Sequence, residues 1–319
     1  MTTSPATPPV ALDAADSPGT EVRQASRTRR GEGVIEALIR LAGISTVVII
    51  GLIFVFLVRE GAQALLDVPP RQLLGVRWYP IEKLFGLLPL AVGSFLVTFG
   101  AVVIAVPLGL TTAIYLGEIA PPWQREILKP LIEILAGIPS IVLGFLGWVA
   151  LAPLIQMLGA PTGLTAATGA LILAYMALPT IISISEDALY AVPKAYRDGA
   201  LAIGATRWQT IWRVVLPAAR SGLVIAVMLG IGRAIGETMA VMMVTGNAAN
   251  IPPLGLGMGF QPVRTLTATI AAEMGEVEQG SLHYSTLFLI GIALFLITFT
   301  INSVAGRLIG GHDKPRGER

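Results

Sequence analysis

The sequence predicts an all-α membrane protein with six transmembrane helices. Three observations carry that expectation. Only 13% of the 319 residues are charged and mean hydropathy is +0.74, where soluble domains carry roughly 25% charged residues. Four stretches, Leu41–Val58, Leu84–Gly117, Ile134–Ser185 and Tyr284–Gly306, hold no Asp, Glu, Lys or Arg, and about 20 such residues cross a bilayer as a helix. The basic residues fall mostly in alternate connecting segments.

Taken in order, the chain opens with a tail over residues 1–33. Met1–Arg30 is rich in Thr, Ser, Pro, Ala and Asp and then Arg, a composition that buries no core and reads as disordered. Arg29-Arg30 ahead of an apolar run is not a twin-arginine signal, because no small-x-small cleavage site follows and the run is long enough to remain as an anchor. Spans are expected at about 38–58, 87–117, 130–157, 164–186, 219–245 and 284–307. The run Ile134–Ser185 divides into two helices at Gly159–Gly163 (GAPTG). The six spans form one domain, 34–309, followed by a short tail, 310–319.

Six spans place both termini on one side. With the termini inside, sixteen of the 22 Arg and Lys residues lie in inner segments; Arg59, Arg71, Arg77, Lys83 and Arg264 lie outside, and Arg233 lies within a span. The positive-inside rule then makes both termini cytoplasmic. The outer segment Asn247–His283 begins with a Pro/Gly-rich apolar stretch, IPPLGLGMGF, and continues with a short helical pattern. Irregular apolar backbone of this kind is expected to pack into the mouth of the bundle. Glu133 is expected to open the third span, where a carboxylate suits a helix N-terminus. Glu186 and Asp187 close the fourth span as interfacial or elbow contacts.

Several chemistries are excluded. The chain has no cysteine, hence no disulfide, thiolate nucleophile or cysteine metal site. His283 and His312 lie at the ends of predicted elements and do not suggest a metal site, and a net charge of +2 is no nucleic-acid signature. No Gly-x-x-x-x-Gly-Lys-Ser/Thr loop is present, so ATP, if used, binds to another protein.

Two segments carry the functional reading. The first is the inner elbow over about 187–217. Pro193 opens a short helix that Gly204 closes in a left-handed cap. Thr206 and Gln209 form a capping box for the next helix, Trp208 and Trp212 suit the membrane interface, and Pro217 interrupts the pattern before the fifth span. The second segment is LGIGRAIGETMAVMMVTG, Leu229–Gly246, an apolar run carrying Arg233 and Glu237 four residues apart. On one continuous helix they share a face within mutual reach, at a depth where each costs roughly 2.5–3.5 kcal/mol. Three readings compete: an internal ion pair that fixes packing, with Gly232 and Gly236 supporting close helix contact; a proton relay through Glu237; or a substrate-path arginine whose fork of donors matches a tetrahedral oxyanion, tempered by Glu237 so that release stays possible.

The elbow resembles the EAA loop of ABC importer permeases. Asp198, Gly199 and Ala200 occupy the Glu-Ala-Ala places, Gly204 the glycine, and Val214, Leu216 and Pro217 the closing Ile-x-Leu-Pro, with departures at Asp198, Gly199 and Val214. GRAIGETMAV and IEILAGIPSIVLG (Ile132–Gly144) are similar to the PstC-type permease of phosphate importers, a likeness extending from Val34 to Ile309. This resemblance implies a type I ABC importer permease (MetI-like) fold in the bacterial plasma membrane, with the elbow docking on a separate ATPase and Arg233 and Glu237 serving phosphate translocation. It also implies a sister permease (PstA-type), an ATPase dimer (PstB-type) that holds ATP and Mg, and an outer phosphate-binding protein (PstS-type). The chain itself is expected to hold no cofactor and to perform no covalent chemistry. The alternatives are a permease for sulfate or molybdate, an ion-coupled secondary transporter using Glu237, and a non-transporting scaffold or sensor subunit.

Overall fold

The computed structural model describes residues 19–253, 255 and 257–310; the tail ahead of residue 19 and the segment after residue 310 lie outside the described residues. The chain divides into two compact units, Met1–Phe56 and Leu57–Arg319. The described part of the first unit is helical throughout. Helix α1 (Gly19–Asp67) carries the first span, Ile35–Asp67. Gly19–Arg30, expected to be disordered, belongs to α1, in keeping with the good helix formers Glu21, Gln24, Ala25 and Arg27 in its sequence.

The second unit begins with the end of α1 and a short helix α2 (Pro70–Leu73), followed by a two-stranded antiparallel ribbon of β1 (Trp78–Tyr79) and β2 (Leu84–Phe85). Lys83 turns the ribbon with φ 56°. Helix α3 (Leu88–Ile114) continues through a π turn, Tyr115–Ile119, to complete the second span. The third span, Ser140–Met157, is assembled from α5 (Ser140–Leu146), a π turn (Gly147–Leu151) and α6 (Ala152–Met157). The fourth is α7 (Ala166–Tyr190). The elbow holds α8 (Lys194–Ala202) and α9 (Arg207–Thr210), and α9 runs through a π turn (Ile211–Val215) into α10 (Leu216–Gly236) as the fifth span. Helices α11 (Met239–Val244) and α12 (Leu266–Glu273) precede the sixth span, carried by α13 (Leu282–Gly310).

Two expected boundaries move. The third span starts at Ser140, because Gly137 and Pro139 break the pattern. The preceding α4 (Pro122–Ala136) is a separate amphipathic helix. Glu133 therefore sits in the last turn of α4 and exposed, and it does not open a span. The other change is in the fifth span, which ends at Gly236 and not near residue 245.

Helix α7 is the centre of this unit, packed between α3 and α10. In a bilayer there is little hydrophobic drive between helices, so close van der Waals fit carries the association. Small residues supply that fit. Ala219, Gly222, Ala226, Gly230 and Ala234 recur at intervals of three and four along α10, and the alanines among them are buried. A Cβ added at Gly230 would collide with Ile181, and one at Gly109 would lie 2.7 Å from the same side chain. Gly232 and Gly236, the pair the sequence suggested for helix contact, have nothing within 4 Å of an added Cβ.

The segment after α11 packs from Gln261 onward, whereas Ile251, Pro253, Gly255 and Gly257 of the apolar stretch expected to pack are exposed. Gly246 pairs with Val263 in a parallel bridge, Val263 N–H donates to Thr245 (2.8 Å), and Ala166 N–H donates to Gln261 (3.0 Å). Val263, Leu266 and Ala268 are buried, and α12 packs against α3, α11 and α13. Gly230→Leu is expected to lower the thermal unfolding midpoint of the purified protein, with overpacking costing about 1–3 kcal/mol. Gly232→Ala, into open space, is expected to leave it unchanged or to raise stability by up to about 1 kcal/mol. Thermal melts of the two variants side by side check the assignment of the packing face.

Candidate functional site: a broken fifth span with an open arginine

The last turn of α10 carries Arg233, and the helix stops at Gly236. Glu237 is extended (φ −71°, ψ 133°), Thr238 is also non-helical, and α11 begins at Met239. Arg233 and Glu237 therefore do not share a helical face, and no ion pair forms between them. This corrects the expectation of a pair one turn apart on a continuous helix. Glycine tolerates the break at low cost, and each charge already has a helix end to complement: Arg233 lies among the carbonyls that end α10, and Glu237 lies at the N–H end of α11.

The break is held by specific bonds. Glu237 Oε1 accepts from Ala240 N–H (3.2 Å), capping α11. The Glu237 carbonyl accepts from the Thr267 hydroxyl on α12 (2.9 Å), and Met242 N–H donates to the Thr238 carbonyl (3.0 Å). Beneath it, Ala240, Val241 and Val244 are buried, and Ala240 and Val244 form a cluster with Leu143, Ile172 and Met176. Thr267 was not identified from sequence; its signal was the alternation of threonines in RTLTATIAAE beside an apolar run.

Arg233 makes no hydrogen bond or ion pair with any described residue, and it is exposed. It stands on a bare stripe of α10 with Ile225, Leu229, Gly232 and Gly236, opposite the small-residue stripe that meets α7. The arrangement offers a guanidinium whose donors are free of the described residues, on a smooth surface next to a helix end.

The elbow is built as the sequence indicates. Pro193 precedes α8, and Gly204 has φ +86°. Gly204 N–H donates to Leu201 and Ala205 N–H to Ala200 (3.0 and 3.1 Å), the two bonds of a Schellman cap. Thr206 and Gln209 make the reciprocal capping box, and Trp208 and Trp212 meet edge to face, both exposed. Asp198, Gly199 and Gly204 are exposed, together with Tyr196, Leu201 and Ile203, the last 87% exposed, while Ala200 is buried. Val214 and Leu216 are half-buried. Pro217 is exposed and does not interrupt the helix, which runs unbroken from Arg207 to Gly236. The π turn immediately before it shifts the register where the ring and the missing N–H would otherwise disturb the ladder.

Glu186 and Asp187 are elbow-end contacts: Lys129 of α4 lies 2.7 Å from Glu186 and 3.1 Å from Asp187. The hydrogen bond to Glu186 is the main cause raising the Lys129 pKa above 10.5, with burial opposing it. At the other end, Glu273 binds Arg264 (2.8 Å), His283 (2.7 Å) and the Trp78 indole N–H (3.1 Å). That contact makes His283 part of a packing cluster, and among the described residues no group of His, Asp and Glu is arranged to hold a metal.

Residues 105–310 match the family described as the binding-protein-dependent transport system inner membrane component. The chain belongs to that family. Curated relatives agree. A probable ABC transporter permease, YqgH of Bacillus subtilis, is 43% identical over 77% of this chain and 81% of its own. The phosphate transport system permease protein PstC of Mesorhizobium japonicum is 37% identical over 86% and 88%, and that of Pasteurella multocida 36% over 76% and 80%. Among solved structures, a bacterial alginate importer superposes with a TM-score of 0.60 over 90% of this chain and all of that chain at 15% identity. The MetNI methionine transporter superposes with a TM-score of 0.52 over 71% and 94% at 21% identity. The fold is thus the MetI-like permease fold expected from the EAA resemblance.

Because Glu237 caps α11 through an acceptor oxygen, Glu237→Gln is expected to keep the break intact. Glu237→Ala is expected to destabilise the protein by about 1 kcal/mol, the usual cost of a lost cap. Unfolding midpoints of the two variants distinguish a cap from an ion-pair partner, which both substitutions would disable alike.

Proposed function

We propose that this chain is the PstC-type permease subunit of an ATP-driven phosphate importer and forms half of the translocation path with a PstA-type sister. The observation that carries the proposal is Arg233: a guanidinium with no counter-ion among the described residues, in the last turn before a helix break on an exposed stripe. The names of relatives at 36–37% identity support phosphate as the anion.

A guanidinium fork binds phosphate oxygens through paired, charge-assisted bonds. Conduction also requires escape. The partial negative charge of the α10 carbonyl end weakens anion binding at Arg233, a role the sequence had suggested for Glu237. In this reading the elbow end faces the cytoplasm and docks on a PstB-type ATPase dimer, which binds ATP and Mg. Asp198, Gly199 and Gly204 present the docking surface, Ala200 packs beneath it, and Val214, Leu216 and Pro217 join it to the fifth span. A PstS-type binding protein delivers phosphate to the outer loops. ATP binding opens the path outward, phosphate passes Arg233, and hydrolysis returns the path to the inside. Sulfate or molybdate would satisfy the same arginine, and competition separates them. An ion-coupled transporter has less support, because the Glu237 carboxylate bonds to a backbone N–H and to no other titratable side chain among the described residues.

Arg233→Gln is expected to leave assembly with the partner subunits intact and to lower ATP-dependent phosphate uptake in proteoliposomes by about 100-fold or more, the scale for losing a charged hydrogen-bonding group. Arg233→Lys should retain partial activity, since a lysine supplies charge without the fork. Full uptake by an assembled Arg233→Gln variant would remove Arg233 from the path. Equal competition by sulfate would remove the phosphate assignment.

A further inference from the structure

The elbow ends of α3 and α7 are joined by two arginines in a crossed pattern. Arg125 of α4 donates to the carbonyls of Leu116 (Nη2, 2.6 Å) and Gly117 (2.6 Å), in the π turn that ends the second span, and its Nε lies 3.7 Å from Glu186 of α7. Arg197 of α8 does the converse. It donates to the carbonyls of Leu189 (2.8 Å) and Val192 (2.6 Å), at the end of α7, and grips Glu118 in the π turn (2.6 and 3.2 Å). Arg197 thus binds terminal carbonyls of one span and the carboxylate of the other, while Arg125, whose Nε donates to Leu116 (3.0 Å), binds the carbonyls and lies beside the other carboxylate as a looser ion pair. Both carboxylates are nearly buried, with Glu186 at 5% and Glu118 at 9% side-chain exposure, and Lys129 supports the looser arm at 2.7 Å from Glu186.

Surface ion pairs contribute little, but this pattern is partly buried and charge-assisted, and it satisfies carbonyls that helix ends leave free. Loss of one partner would leave a buried charge uncompensated. The exposed face of α8 carries Asp198 and Gly199 of the motif, and Arg197 adjoins them in sequence. A push on α8 is therefore delivered through Arg197 to α3 and α7 together.

We propose that Arg125 and Arg197 are positioning residues that lock α4, α8 and the ends of α3 and α7 into one block, so that the elbow moves the two central spans as a unit. This rests on the transport reading above. The test uses the assembled transporter in proteoliposomes with Arg125→Gln, Arg197→Gln, Arg197→Lys and Glu118→Gln. Phosphate uptake and ATP hydrolysis are measured together, with subunit ratios on the same preparation. The chain lacks cysteine, so nitroxides at Glu126→Cys and Lys194→Cys, both exposed and outside the brace, read the α4–α8 distance with and without trapped ATP, using cysteine-free partners.

The parent is expected to show one distance in both states. Arg197→Gln and Arg125→Gln should broaden it on ATP trapping and lower uptake per ATP by a factor within about 5–150, the usual range of coupling between sites, while hydrolysis continues. Arg197→Lys should restore part of the loss. A parent distance that changes between states, or parental uptake per ATP in the assembled glutamine variants, overturns the proposal. If the arginine variants do not assemble, Glu118→Gln decides on the same readouts. A parent that takes up no phosphate defeats the phosphate reading alone, because the distance measurement does not depend on the substrate.

Discussion

The break in the fifth span at Gly236 is the constraint on which the functional reading depends. A helix continued through this point would place a carboxylate one turn from Arg233 on the same face, and the two charges would neutralise each other. With the helix ended, Glu237 turns to the N–H groups of α11 and Arg233 remains alone on the α10 stripe. Thr267 fixes the break from outside by donating to the Glu237 carbonyl, and α11 fills the hydrophobic space beneath it. An unpaired guanidinium in a membrane protein is costly. Its position without a counter-ion among the described residues, beside a break held by Ala240, Thr267 and the α11 packing, is what the proposed anion path rests on.

The surrounding structure keeps that stripe open. Along α10 the small residues face α7 and the arginine faces away, so tight packing of the core and access to Arg233 come from the same helix without conflict. At the elbow end, cations from α4 and α8 satisfy the carbonyls that α3 and α7 leave free. The spans at the centre are thus bound to α4 and α8 at one end and to the irregular segment around α12 at the other, through bonds such as Ser94 accepting from Leu266 N–H (2.8 Å).

Much of this was legible in the sequence. Uncharged runs locate five of the six spans, and a long apolar run interrupted by Arg233 and Glu237 locates the fifth, because a bilayer demands length and apolarity and little else. The elbow caps were legible down to Thr206, Gln209 and Gly204, since caps depend on local chemistry. The break at Gly236 was not, because Gly-Glu-Thr sits inside an apolar run whose composition reads as one helix. The start of the third span was misplaced for a related reason: α4 is amphipathic, and its apolar face merges with the span that follows Pro139. The crossed arginines were out of reach, since Arg197 and Glu118 are 79 residues apart and only the fold brings them together. The carbonyls of Leu116 and Gly117 precede Pro121 and Pro122, which have no N–H to give them, but the π turn itself has no comparable sequence signal.

The most direct test of the open arginine is a double-mutant cycle for stability on Arg233→Gln and Glu237→Gln in the assembled complex. Independent sites add within about 0.3–0.5 kcal/mol, and additivity of that order is the predicted result. An interaction energy of about 1 kcal/mol or more would show the two charges paired, and Arg233 would then be a packing residue without a role in the anion path.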